Sequence, residues 1–309
     1  MAGICKQRWW IAFWAALAVW LTTPCSAQAV QTTLVLGRVS DDPRVHYARL
    51  RPLLDYVVPR MADLGIREGR VLMARDAQQM TSYLRQGKVD WITETSGAAL
   101  GFVERAQARI LLRARRGGLY DYHSVFFTRR ESSIQQLADL RGRALGFQHP
   151  MSTSAYLVPA SMLLQAGLPL AIQASPLERP PPEFIGYAFA RSEGNLVTWV
   201  HKGLVDAAVF SNQDWDEMVR ESPDVAADLR IFAESREFPR ALELVRRGLD
   251  PRIEARLKAL LLAAHEDPLA AEALAKYQRT ERFDEIDAQT SAVLDELRTG
   301  VLRVRAEIE

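Results

Sequence analysis

The chain predicts an α/β fold with mainly parallel sheets. Three observations carry the prediction. Short β-rich runs alternate with longer helical patterns from Thr33 onward. The helical patterns are bounded by glycine and capping residues. With 48% hydrophobic and 25% charged side chains over 309 residues, the composition is that of a soluble chain with room for one large domain or two small ones.

The first thirty residues follow a different rule. Lys6 and Arg8 precede an apolar run from Trp9 to Leu21, then Thr22-Thr23-Pro24 and the small residues Cys25 to Ala29. This is the three-part form of a secretory signal peptide, expected over residues 1–29 with cleavage after Ala29 or Ala27. The run is shorter than the roughly 20 residues that span a bilayer. Cys25 raises a lipoprotein alternative, but Pro24 before it fits poorly. Removing the leader takes Lys6, Arg8 and both cysteines with it, leaving 37 basic against 38 acidic side chains. An exported chain of that kind is stabilised by its core alone, and thiol chemistry is excluded.

Strands are expected at Thr33–Val39, Arg70–Ala74, Val89–Thr93, Arg109–Arg115, His123–Thr128, Arg143–Phe147, Val205–Phe210 and Leu229–Glu234. Leu50, Leu53, Leu54, Val57, Val58, Met61 and Leu64 recur at helical spacing and stop at Gly65, with Pro52 opening or kinking the helix. Further helices are expected over Gln78–Gln86, Ser96–Ala106, Ser154–Ala166, Asn195–Lys202, Pro251–His265 and Ala288–Glu309. The last of these places Ile286, Thr290, Val293, Leu294, Leu297, Val301 and Val304 on one stripe, suited to packing on the body or to a partner. Gly117-Gly118 before Tyr120-Asp121-Tyr122 marks a hinge, and Ser175–Pro182 an exposed connection.

The whole chain carries 39 basic and 38 acidic residues, so no nucleic-acid footprint is present. Arg greatly outnumbers Lys, which codon bias explains more simply than oxyanion recognition. The five histidines (His46, His123, His149, His201, His265) form no metal-binding pair, no phosphate-binding glycine loop follows a strand, and no G-x-S-x-G elbow surrounds Ser152. No enzyme activity, metal or cofactor is expected. The sharpest local feature is Ser152-Thr153-Ser154 between a strand and an apolar helix. There, hydroxyls and free N–H groups can surround an anion. On residues alone, a plain N-cap is the simpler account.

Together with its neighbours this segment resembles the phosphate, phosphite and phosphonate solute-binding proteins of bacterial ABC transporters. The signature S-T-S-[GA]-[YF]-L-x-P stands here as Ser152 to Pro159. Supporting pieces are Gly87-Lys88-Val89-Asp90 with Ala98-Ala99, Tyr122 to Phe127, Ser132–Gly142, and Lys202 to Ala207, in the family's order from about Val35 to about Phe283. The resemblance implies a type II periplasmic-binding-protein-like fold: two α/β lobes joined by a hinge, with a ligand cleft between them. Lobe one would comprise residues 30–121 and 214–309, lobe two residues 122–213. It also implies that Ser152, Thr153 and Ser154 grip phosphoryl oxygens and that Tyr122 adds a contact.

Two departures stand out. Trp91 to Gly97 carries Glu94 and Thr95 where the family has an aromatic or small residue, and Ser192-Glu193-Gly194-Asn195 carries Glu193 where a Ser-His pair is usual. Carboxylates near a dianion repel it. They help if the ligand bears an ammonium group, or if a cation such as Arg38 pairs with one of them. An amino-phosphonate or other zwitterion is therefore expected over inorganic phosphate. The expected role is the periplasmic, monomeric binding component of an importer with an ABC permease as partner. The alternatives are a sensory module feeding a membrane signalling partner, or an enzyme whose Glu94 and Glu193 share one cleft.

Overall fold

The computed structural model describes residues 31–40 and 42–308, so the leader expected over residues 1–29 lies outside the described residues. The chain first lays down β1 (Thr33–Val39), α1 (Pro43–Val57), β2 (Glu68–Ala74), α2 (Ala77–Arg85), β3 (Trp91–Glu94), α3 (Ser96–Ala106) and β4 (Arg109–Arg116). It crosses through β5 (Asp121–Tyr122) into β6 (Ser124–Arg129), β7 (Ala144–Phe147), α4 (Val158–Gln165), β8 (Leu170–Ile172), β9 (Ile185–Phe189), α5 (Glu193–His201), β10 (Ala207–Ser211), α6 (Asn212–Glu221), α7 (Pro223–Ala227) and β11 (Leu229–Glu234). It returns through β12 (Phe238–Pro239) to β13 (Leu242–Val245), α8 (Pro251–Ala263), α9 (Ala271–Lys276), β14 (Thr280–Asp284) and α10 (Ala288–Glu307).

Two six-stranded sheets result, ordered β14-β4-β13-β3-β1-β2 and β11-β6-β10-β7-β9-β8. The expectation of mainly parallel sheets is corrected. Only β1, β2 and β3 pair parallel in the first sheet, and only β7, β8, β9 and β10 in the second; β4, β13 and β14, like β6 and β11, pair antiparallel. The reason is the returning chain, which inserts β13 between β3 and β4 instead of extending a parallel edge. β11 pairs with β6 and keeps the second sheet together until Glu234. The two crossings meet as a short ribbon, Tyr122 opposite Phe238 and Asp121 opposite Pro239. Gly117 and Gly118 precede the first crossing with φ of 56° and 85°, values that glycine adopts without the Cβ penalty.

Local chemistry sets the helix starts. Asp76, Ser192, Ser211, Asp250 and Asp287 each accept a backbone N–H in the first turn of the helix that follows, leaving fewer donors unpaired there. Pro52 neither opens nor ends α1, which starts at Pro43 and continues past it; the helix tightens to a 3-10 turn at Val58–Leu64. The stripe on α10 packs on the body. Leu294 joins a core under the first sheet, Val301 and Val304 join one under the second, and Leu297 packs against both. At about 25 cal/mol per Å² of apolar surface, that stripe ties the helix to both layers.

Candidate functional site

The site lies where two helix beginnings meet. β3 ends at Glu94 and turns through Thr95 into α3. β7 ends at Phe147, and the loop that follows leads through one turn of π-helix, Thr153–Leu157, into α4. Thr153 Oγ1 donates to Thr95 Oγ1 at 2.8 Å and accepts the Gly97 N–H at 2.9 Å, joining the layers of the two sheets. Gly97 permits the approach: a Cβ there would lie 2.9 Å from Leu157 Cδ1 and 3.0 Å from Thr153 Oγ1.

The three signature hydroxyls divide their work. Ser152 Oγ accepts the Ala155 N–H at 3.1 Å and so acts as an N-cap. Thr153 forms the seam. Ser154 and Thr153 neighbour Tyr122, and both favour its ionised form. Tyr122 is buried, which pushes its phenol up; Phe238 packs edge-on at 4.7 Å, and the Arg240 guanidinium stands 5.0 Å over the ring.

Across the seam, Glu94 is 8% exposed at the end of β3. Burial raises its carboxyl above the ordinary range, opposed first by the charge of Arg38 and then by the Val39 N–H and Arg116. The β1–β3 register, with Gly37 opposite Ile92, brings Arg38 and Val39 alongside. Glu94 Oε1, Arg38 Nε and Ser96 Oγ are buried without a hydrogen-bond partner. Beneath them Glu243, fully buried on β13, accepts Trp91 Nε1 at 2.6 Å, Thr93 Oγ1 at 2.7 Å, Tyr277 OH at 2.9 Å and Arg116 Nη2 at 3.1 Å.

Glu193 shares a charged neighbour with Tyr122, because Asp214 acts on both. Glu193 opens α5, accepts a hydrogen bond from Gln148 Nε2, and lines a cavity of about 710 Å³ between α5 and α6 with Phe210 and Met218. Burial pushes its carboxyl up, and Asp214 and Glu217 push it further. The charges that act on Glu94 are those of Arg38, Arg116 and Glu243, and those that act on Glu193 are Asp214 and Glu217. Sequence reasoning missed Ser96, Arg116, Arg240, Asp214 and Glu243. Of these, Glu243 gives an advance signal, as a carboxylate inside the apolar run Leu242-Glu243-Leu244-Val245.

The family model for the periplasmic substrate-binding protein of phosphonate ABC transporters matches residues 39–290. The chain belongs to that family. As a phosphonate-family binding protein it is the substrate-binding component of an ABC transporter, a class that works in the periplasm and passes a small molecule to a permease. XAC2383 from Xanthomonas citri, solved bound to chloride, is 46% identical over 90% of this chain and 100% of its own, with a TM-score of 0.87. The same protein bound to ATP gives 45% identity, the same coverage and a TM-score of 0.87. PhnD1 from Prochlorococcus marinus, in complex with methylphosphonate, shares the fold at 16% identity and a TM-score of 0.66, over 88% of this chain and 99% of its own. These neighbours have the type II periplasmic-binding fold. No curated protein sequence matches the chain.

Proposed function

We propose that this phosphonate-family protein captures a small zwitterionic oxyanion of the aminoalkyl-phosphonate class at the seam between its two lobes. The lobes follow the two sheets, with the ribbon of β5 and β12 as hinge. The observation that carries the reading is the pair of orphans: Arg38 Nε, a donor, and Glu94 Oε1, an acceptor, both buried without partners. A buried polar atom left unpaired costs about 1–3 kcal/mol. One ligand bearing an oxyanion and an ammonium group satisfies both. Ser96, Ser154 and Tyr122 then add hydroxyls to the oxyanion. Thr153 and Thr95 hold the closed form, and ligand shifts the population toward it through its preference for that form. A leader over residues 1–29, a permease partner and a monomeric state belong to the same reading.

A second reading rests on the ATP-bound relative at 45% identity: a phosphate ester whose oxyanion sits at Arg38. Thermal-shift measurements with 2-aminoethylphosphonate, methylphosphonate, phosphate, chloride and ATP separate the two. A ligand at about 100 times its Kd stabilises by about 2.7 kcal/mol. The largest shift is expected with 2-aminoethylphosphonate, and it is lost when Thr153→Val is combined with Ser154→Ala. Equal shifts with methylphosphonate remove Glu94 from ligand recognition, and a shift with ATP alone selects the second reading.

A further inference from the structure

Taking the seam as the ligand site, as read above, we propose that Arg240 determines which headgroup it accepts. The Nη groups of Arg240 bind the second negative charge of a phosphonate, so a dianionic headgroup is preferred over a sulfonate or carboxylate on the same aminoalkyl chain.

Arg240 directly follows β12 of the hinge ribbon and is half-buried. Its backbone N–H donates to Tyr120 O at 2.8 Å, which fixes it beside the first crossing, and its guanidinium stands 5.0 Å over the Tyr122 ring. Tyr122 in turn neighbours Ser154 and Thr153 of the signature. Arg240 Nε donates to Gln213 Oε1 at the start of α6, and a Cβ on Gly117 would stand 3.6 Å from Gln213 Nε2. One edge of the guanidinium is thus held by the fold, while neither Nη makes a hydrogen bond or an ion pair with a described residue. A planar fork braced at Nε is pre-organised for an oxyanion.

The charge of Arg240 is likewise unclaimed. Asp214 feels it, but Asp214 Oδ2 is committed to the Ser211 N–H at 3.1 Å and to the Ser211 hydroxyl at 2.5 Å, as part of the capping box of α6. Arg116 feels it as repulsion, together with that of Arg38, so three guanidinium groups converge on one region. Glu243 answers Arg116 at 3.1 Å, and the Glu94 carboxyl stands against Arg38. Among the described residues no carboxylate forms an ion pair with Arg240. Like charges gathered in a partly buried space repel until an anion offsets them. A sulfonate or carboxylate brings one negative charge, whereas a phosphonate past its second ionisation brings two, with oxygens enough for two forks. Arg38 answers the first charge and Arg240 the second.

The test is isothermal titration of the full protein with 2-aminoethylphosphonate and with 2-aminoethylsulfonate at about pH 8, above the second ionisation of a phosphate-type group at about 6. The sulfonate keeps the chain, the ammonium group and a tetrahedral headgroup, and lacks the second charge. The wild type is expected to bind the phosphonate tighter by about a hundredfold. Arg240→Gln is expected to lose about tenfold or more on the phosphonate and less than about threefold on the sulfonate. Arg240→Lys keeps the charge and gives up the fork, so it holds part of the preference. Gln213→Ala removes the brace and leaves the charge, and its preference is expected to stay above that of Arg240→Gln. A loss in Arg240→Gln shared equally by the two ligands would make Arg240 a brace of the hinge and overturn the proposal, with the seam reading intact. No binding of the phosphonate by the wild type, or binding undiminished by Thr153→Val with Ser154→Ala, would instead remove the seam reading and the role of Arg240 with it.

Discussion

Glu243 and Glu94 lie on neighbouring strands of the first sheet, with Glu243 opposite Thr93 and Leu242 opposite Glu94, and the fold treats them in opposite ways. Glu243 is fully buried and saturated: an indole, two hydroxyls and a guanidinium all donate to it. Glu94 is nearly as buried, yet Oε1 has no partner, and neither does Nε of the arginine whose charge stands beside it. Both carboxyls are raised by burial, and in both an arginine charge is the first opposing influence. Saturation, and not charge or depth, distinguishes them. A saturated pair serves the fold; the proposed ligand would complete the pair whose atoms are left without partners.

The contrast is broken most severely from the Glu243 side. Glu243→Ala leaves Arg116, 5% exposed, as an uncompensated buried charge, and removing one partner of such a pair costs about 3–5 kcal/mol. Urea denaturation should show that loss in the midpoint. Burial already pushes the Arg116 guanidinium below its ordinary value, with Arg240 and Arg38 adding repulsion, so the cost belongs at the upper end of the range. A change under 1 kcal/mol would mean that the network contributes nothing to the fold.

From the Glu94 side the sign reverses. Glu94→Gln removes a buried charge that no hydrogen bond fully satisfies, so the unliganded protein is expected to gain stability. Its affinity for 2-aminoethylphosphonate is expected to fall by about tenfold to a hundredfold, the worth of one hydrogen bond to a charged group. Titration calorimetry on the two forms checks both halves. Equal affinities would show that Glu94 belongs with Glu243 as a structural residue.

How much of this was legible in the chain depends on sequence distance. Thr33–Val39, Ser96–Ala106 and Leu229–Glu234 have the expected bounds, because apolar patterning and flanking turns are local signals. β8, β9, β13 and β14 were missed; in β13 a carboxylate interrupts the apolar run, and its place is set by pairing with β3 and β4 far off in sequence. The hydroxyl trio was legible as a helix start, but the division of labour within it was not. Ser152 as cap and Thr153 as seam follow from where α3 arrives, 56 residues away for the Gly97 bond. The neighbours of Glu94 likewise rest on the β1–β3 register, and the Arg116–Glu243 pair on β13 entering between β3 and β4, choices of long range that no window of sequence contains.

The finest test of the comparison is pH. The Glu94 carboxyl is raised in the folded protein, so between the unfolded value of about 4.3 and the folded one the native state holds more protons than the unfolded chain. The stabilising difference is complete below the unfolded value and disappears as pH rises through the folded one. Asp121, Glu193, Asp214 and Glu243 are raised as well and several surface carboxyls are lowered, so the wild-type curve mixes many contributions. Subtracting the curve for Glu94→Gln from that of the wild type isolates one. That difference should decline with rising pH without ligand and flatten when 2-aminoethylphosphonate is bound, because an ammonium group on Oε1 favours the ionised carboxylate and brings its pKa down. A difference curve unmoved by ligand would leave Glu94 with only the protein's own cations, Arg38 and Arg116, and return the pair to the fold.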